Sequence, residues 1–156
     1  MTGYALPHGL PRPVPSADGL DAPYWAGTRA HELRVQQCGA CGTFRWGPEW
    51  LCFACHGRDT RWPRIDPVGV LFSWERVWHP VHPALAGSSP YVVALVELPG
   101  AEGVRMVGNL LDGDGHPLAA DAAVPIGAVV DAVFEDHDDT SDGALPFTLV
   151  QWKLRA

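Results

Sequence analysis

Residues 38–55 read CGACGTFRWGPEWLCFAC, and the four cysteines in this stretch are the only ones in the chain. They fall as two Cys-x-x-Cys pairs, Cys38 with Cys41 and Cys52 with Cys55, ten residues apart. Each pair forms a tight turn that presents two thiolates, and structural zinc takes four soft ligands at tetrahedral corners. Gly39 and Gly42 suit such turns, because glycine tolerates positive φ where backbone N–H groups bend toward the sulfurs. A closed set of four thiolates leaves no position for water or substrate, which disfavours Lewis-acid catalysis. Redox use of the thioredoxin type needs one pair in a βαβ setting, whereas two pairs here sit in a Trp- and Gly-rich hairpin. Rubredoxin-like iron uses similar spacing, so zinc is preferred on prevalence rather than geometry. His56, directly after Cys55, reads as a loop residue beside a ligand set that is already complete.

Upstream, residues 1–20 hold four prolines and read as a flexible, extended arm. Asp21 then caps a helix of two to three turns in DAPYWAGTRAHEL, with Pro23 in its first turn and Tyr24, Trp25 and Leu33 on its apolar side. Gly27 weakens that helix. In LRVQQC, Leu33 and Val35 alternate with polar residues, as in a strand leading into Cys38. Downstream the pattern is all β. Strands are expected over 68–79, 90–98, 104–111, 125–137 and 145–156, with the turn PGAEG joining the second and third as a hairpin. Five strands with Gly-rich corners fit a partly open Greek-key barrel of the OB type better than a sandwich, which needs more strands. The expected fold is therefore mainly β. A short N-terminal helix and a rubredoxin-like, four-cysteine zinc ribbon fill residues 21–65, and a five-stranded OB barrel fills residues 66–156.

Charge narrows the partners. Residues 77–156 carry eleven acids against Arg105, Lys153 and Arg155, while residues 29–76 carry seven arginines against five acids. Such an acidic second half repels phosphate backbones at long range, which weighs against nucleic acid. No stretch has the run of about 18 apolar residues that spans a membrane, and the N-terminus lacks the pattern of a signal peptide. A soluble cytoplasmic protein is expected, where four cysteines serve metal binding rather than disulfides.

Candidate catalytic groups are few. His79 and His82, in WHPVHPAL, form either a proton-transfer pair, a partner or ligand contact, or ordinary loop residues. Glu135, Asp136, Asp138 and Asp139 read as a solvated charge run. Ser88, Ser89 and Tyr91 precede a strand with no partnered base, and no phosphate-loop or dinucleotide fingerprint occurs. Trp46, Trp50 and Phe53 belong to a ribbon too small to bury them all. Rimmed by Arg45 and Arg58, they would make a protein-binding surface together with Tyr24 and Trp25. The competing reading packs Trp46 and Trp50 against the helix and barrel. Arg34, Arg61 and Arg64 are candidates to meet the phosphates of a ligand.

The succession PYWAGTRAHELRVQQCGACGTFRWGPEWLCFACHGRDTRWPRIDPVGVLFSWERV resembles the DUF35 family of zinc-ribbon OB-fold proteins. The features that carry the resemblance are Tyr24–Trp25, Leu33, Cys38, Cys41–Gly42, Pro48, Cys52, Cys55, Gly69, Ser73 and PYVVALVEL. Gly108–Asn109, Ile126–Gly127 and Val133–Phe134 extend it across residues 22–137. The ending FTLVQWKLRA and the arm depart from the family. The resemblance implies a non-catalytic accessory subunit of a thiolase-superfamily acyl-CoA enzyme, an aldolase or acyltransferase, in a hetero-oligomer with structural Zn2+. Steroid side-chain degradation is the first expectation for the substrate class. Alternatives are partnership with a MaoC-like enoyl-CoA hydratase, or stand-alone binding of acyl-CoA or single-stranded nucleic acid. On this reading Arg61, Arg64, His79 and His82 would contact acyl-CoA or the partner.

Overall fold

The structure is a computed structural model and describes residue 10, residues 19–138 and residues 145–155. The expected arm lies almost wholly outside them. The chain enters through helix α1 (Ala22–Arg29). Asp21 stands at its N-cap, but its carboxylate makes no capping bond to the backbone and instead accepts from the indole Nε1 of Trp25 at 2.8 Å. At the other end His31 is left-handed (φ 55°) and the N–H of Glu32 reaches the carbonyl of Gly27 at 2.9 Å, a Schellman closure. A Cβ on Gly27 would lie 2.9 Å from Arg34 Cδ. Glycine is there so that the helix can lie close to the strand that follows.

That strand is two pieces rather than the single one expected over LRVQQC. β1 (Leu33–Arg34) and β2 (Gln36–Cys38) join different sheets. β1 pairs antiparallel with β5 (Arg64–Ile65), setting Leu33 opposite Ile65. β2 is the middle strand between β3 (Phe44–Arg45) and β4 (Thr60–Arg61), so the chain bends at Val35 to serve both. Leu33 and Val35 are fully buried.

The barrel consists of β6 (Val68–Val77), β7 (Tyr91–Leu98), β8 (Val104–Leu111), β9 (Val129–His137) and β10 (Phe147–Leu154). The order around it is β6-β7-β8-β10-β9 and back to β6. All neighbours are antiparallel except β8 and β10. This is the five-stranded Greek-key OB barrel expected from the sequence. Three strands are shorter than their apolar runs suggest. β9 starts late because Pro125 and Gly127 (φ +83°) form a turn whose N–H bonds Leu71 O at 2.8 Å. β10 begins after Pro146, which has no N–H to give a ladder. β6 stops before the Pro80 segment and carries a bulge between Leu71 and Ser73. Val92, Ala94, Val96 and Leu98 alternate inward along β7, where they meet Leu71, Met106, Leu110, Val130 and Trp152. Each large apolar side chain withdrawn from water in this way contributes about 1.5–3 kcal/mol.

Polar contacts fix the helix to the barrel. Arg29 Nη1 donates to Asp138 Oδ1 at 2.8 Å and to Thr148 Oγ1 at 3.3 Å. Asp136 accepts from the Thr148 hydroxyl at 2.6 Å and pairs with His31 Nε2 at 2.9 Å. The His31 ring also stacks on Phe134. Burial works to raise the Asp136 carboxyl, but Thr148, His31 and Arg29 outweigh it and hold the group below the usual carboxylate range. The acidic run is thus not simply solvated. Glu135 and Asp136 lie at the end of β9, within the strand expected over 125–137, and Glu135 is bonded by Gln151 Nε2 and His137 Nε2, both at 2.9 Å. Asp139 lies outside the described residues.

The barrel is weakest where its parallel pair meets. β8 and β10 share only the pairs Trp152–Leu110 and Lys153–Leu111. Beyond them the strands diverge, and the N–H of Asn109 goes to the side-chain Oε1 of Gln151 at 2.7 Å. A Cβ at Gly108 would stand 2.8 Å from Trp152 Cδ1 and 2.9 Å from Val150 O. Gly108→Ala should therefore destabilise the chain by about 1–3 kcal/mol, read as a lower urea midpoint with unchanged slope.

Candidate functional site

The two cysteine pairs fold as copies of one turn. In the first, Cys38 N–H donates to Thr43 O at 2.9 Å and Gly42 N–H to Cys38 O at 2.9 Å. In the second, Cys52 N–H donates to Gly57 O at 2.9 Å and His56 N–H to Cys52 O at 2.8 Å. The residue after the second cysteine is left-handed in both, Gly42 at φ +80° and His56 at φ +59°. Of the two glycines expected to supply positive φ, only Gly42 does. At Gly39 a Cβ would meet the Asp59 carboxylate, which would have to move aside. His56 serves the turn by its backbone.

These turns bring all four sulfurs within 4.8 Å of one another. Cys38 and Cys55 Sγ stand 3.6 Å apart, and Cys41 and Cys52 Sγ 3.7 Å apart. Tetrahedral zinc with bonds of about 2.3 Å requires sulfurs separated by about 3.8 Å, so the donor set fits that ion. Cys41 is held down to about 6 by the hydroxyl and then the N–H of Thr43. Cys38 lies below the ordinary thiol range, chiefly through the N–H of Cys41. The N–H of Gly57 favours the Cys55 thiolate, but the nearby Cys41 and Cys38 sulfurs outweigh it and push that thiol up to about 12. A cation must displace the remaining protons, so metal uptake releases them and weakens as pH falls.

The other candidates separate into distinct places. Trp50 (68% exposed), Leu51 (45%) and Phe53 (70%) form an apolar tip at the start of the second turn. Trp46 does not join them. It meets Tyr24 edge-on at 4.9 Å, and Tyr24 meets Trp25 at 5.3 Å, so these three rings seal the helix to the ribbon. Tyr24 is buried, which pushes its hydroxyl above the usual phenol range, with Asp21 adding to the effect. Arg45 does not rim the tip either: it is 3% exposed, and none of its three guanidinium nitrogens has a hydrogen-bond partner among the described residues. Arg58 and Arg61 are exposed, and Arg64 reaches Glu32 at 3.4 Å. His82 is occupied locally, its Nδ1 accepting from Ala84 N–H at 3.2 Å. No hydrogen bond joins it to the exposed His79.

One feature that the sequence did not reveal is a cleft of about 660 Å³ over the β8–β10 seam. Tyr24 and Trp46 contribute from the helix and ribbon, Met106 and Val150 from the barrel, and Tyr91 and Asn109 also line it. Ser88, Ser89 and Tyr91, noted in the sequence without a partnered base, also line it, and no motif marks the rest. The pairing of Gly108 with Asn109 is the single local sign.

Replacing Cys52 by Ser should release the metal and collapse the ribbon, because metal binding and folding of so small a module are coupled. Metal analysis and the near-ultraviolet signal of Trp46 would both fall. A variant that keeps one equivalent of metal would contradict this assignment.

The chain matches the family profile for the rubredoxin-like zinc ribbon domain of ChsH2 over residues 25–61, and that for the C-terminal OB-fold domain of ChsH2 over residues 62–135. A probable enoyl-CoA hydratase alpha subunit of Thermomonospora curvata is 37% identical over 102 residues, covering 64% of this chain and 30% of the relative. The 3-oxo-4,17-pregnadiene-20-carboxyl-CoA hydratase alpha subunit of Mycobacterium tuberculosis is 35% identical over 135 residues, covering 86% and 39%. The chain thus spans about a third of the length of these curated relatives. Among solved structures, a chain of the Ltp2-ChsH2(DUF35) aldolase superposes with a TM-score of 0.70 at 31% identity, covering 92% of this chain and 98% of that one. A DUF35 protein of unknown function from Sulfolobus solfataricus shares the fold, with a TM-score of 0.55, 15% identity and coverage of 88% and 86%. The four clustered thiols are accordingly a structural zinc site, and the chain belongs to the ChsH2-type DUF35 family of zinc-ribbon OB-fold proteins.

Proposed function

We propose that this chain is a non-catalytic accessory subunit that docks on an acyl-CoA enzyme of the thiolase superfamily, an aldolase by first preference, and supports its activity or stability. The observation that carries the reading is the near-complete overlap with one chain of an aldolase whose description pairs ChsH2(DUF35) with Ltp2. The chemistry of the site agrees. Four thiolates complete the zinc's coordination, so the ion is left without an open position for substrate. The outward-facing Trp50, Leu51 and Phe53 are the kind of unpartnered apolar group that a permanent partner covers.

A second reading has its own support: both curated relatives are hydratase alpha subunits. On that reading the partner is a MaoC-like enoyl-CoA hydratase, and a steroid acyl-CoA remains the first substrate class to test. Single-stranded nucleic acid is disfavoured by the excess of acids over residues 77–156.

Co-expression with candidate aldolase and hydratase subunits separates the two. The true partner should co-elute and gain activity or solubility. If neither does, the accessory role fails. Within the complex, replacing Trp50 and Phe53 together by Ser should weaken association at least tenfold while zinc content and melting temperature stay unchanged. Undiminished association would move the docking surface away from the ribbon tip.

A further inference from the structure

The two cysteine turns share their backbone bonds but differ at one position that touches a ligand. Two places after the second cysteine stands Thr43 in the first turn and Gly57 in the second. Each of these residues gives its carbonyl to the N–H of its turn's first cysteine at 2.9 Å. The Thr43 hydroxyl lies 3.2 Å from Cys41 Sγ and covers it. Gly57 offers Cys55 Sγ only its N–H, at 3.4 Å. A Cβ at Gly57 would sit 3.3 Å from Cys55 Sγ and 3.8 Å from Cys38 Sγ, so glycine leaves an opening beside that pair of sulfurs. Gly57 is not among the glycines at positive φ, so the turn itself does not require one there. The sulfurs are also paired across the turns. Exposed Cys55 faces buried Cys38 at 3.6 Å, and exposed Cys41 faces buried Cys52 at 3.7 Å. Each pair joins a sulfur that solutes can reach to one held behind it, the arrangement of an attacking and a resolving cysteine.

From this asymmetry we infer that Cys55 and Cys38 are the peroxide-sensitive half of the zinc site, with Cys55 reacting first and Cys38 resolving. Cys55 Sγ attacks one oxygen of hydrogen peroxide. An S–O bond forms, the O–O bond breaks, and the other oxygen leaves as hydroxide and takes up a proton to become water. Cys38 Sγ then attacks the Cys55 sulfur. The S–S bond forms, the S–O bond breaks, and a second hydroxide leaves and is protonated. The two sulfurs lose two electrons in all, and the peroxide gains them. Only Cys41 and Cys52 then remain as thiolates, too few to complete a tetrahedral shell, so the ribbon releases its metal. A second equivalent of peroxide joins Cys41 to Cys52 more slowly, because Thr43 stands over Cys41. Free thiols reverse both bonds. Trp50, Leu51 and Phe53 lie within the loop that a Cys38–Cys55 disulfide closes, so on the docking reading oxidation would also disturb the partner surface. The chemistry of the sulfurs does not depend on that reading.

The test treats the full zinc-loaded chain with one equivalent of hydrogen peroxide. Zinc release is followed with a chelating dye, and disulfides are mapped by mass spectrometry after alkylation. Zinc should be lost in step with a Cys38–Cys55 disulfide, with Cys41–Cys52 appearing later, and dithiothreitol with added zinc should restore the bound metal. Exchanging the two distinguishing residues gives a reciprocal check. Gly57→Thr should keep one equivalent of zinc and slow its release about threefold or more, whereas Thr43→Gly should bring the Cys41–Cys52 disulfide forward by a similar factor. Disulfides within the turns, Cys38–Cys41 and Cys52–Cys55, would overturn the pairing. Zinc retained under excess peroxide would overturn the sensitivity, and an unchanged rate in Gly57→Thr would overturn the part given to the opening. Should Gly57→Thr fail to hold zinc, the order of bond formation in the unmodified protein decides, and Cys41–Cys52 forming first would overturn the assignment.

Discussion

Four sulfurs lie within 4.8 Å of one another, and without a cation the thiolates favoured at Cys41 and Cys38 push the Cys55 thiol up so that it holds its proton. Zinc removes that conflict, and with it the main obstacle to folding the ribbon. A module of about forty residues cannot draw enough stability from its own core, so the ion substitutes for one. The effect reaches beyond the sulfurs. The same hairpin carries Trp46 to Tyr24, and Leu33 and Val35 of the flanking strands enter the common core with Leu71 and Met106. Loss of the ion would loosen the helix and one wall of the seam cleft as well as the ribbon.

The chain divides its tasks among separate surfaces. The metal lies enclosed between two backbone turns, the apolar tip points outward beside it, and the cleft sits over the parallel seam of the barrel. None of the three assembles an acid, a base and a nucleophile. His82 is used in capping a short turn, and Glu135 lies in a network with Gln151 and His137. The accessory role proposed above asks for no more than this.

Much of this could be read from the sequence, because the strongest signals were local. Two Cys-x-x-Cys pairs specify a metal site by spacing alone, and the alternation in PYVVALVEL appears unchanged as the inward face of β7. What was misread depended on contacts between distant residues. Arg45 is charged and looked like surface, but it lies opposite Gln36 in a three-stranded sheet that closes over it. Glu135, Asp136 and Asp138 read as a solvated charge run until Thr148, Gln151, Arg29 and His31 arrived from segments far away in sequence. The cleft left only Gly108–Asn109 as a local sign, since Met106, Val107 and Leu149 read only as strand residues.

The position of β10 has a consequence for how the chain acquires its structure. Residues 147–154 insert between β8 and β9 in the middle of the sheet order, and helix α1 also rests on this strand. The ribbon, by contrast, is built from neighbours in sequence and can take up zinc as soon as Cys55 is available. Formation therefore proceeds in two stages separated by chain length: an early, metal-dependent local unit, then a late closure with high contact order that waits for the last strand. Until that strand arrives, β8 and β9 expose edges and the helix lacks its seat. Any partner or chaperone that guards the nascent chain must therefore shield the barrel rather than the ribbon.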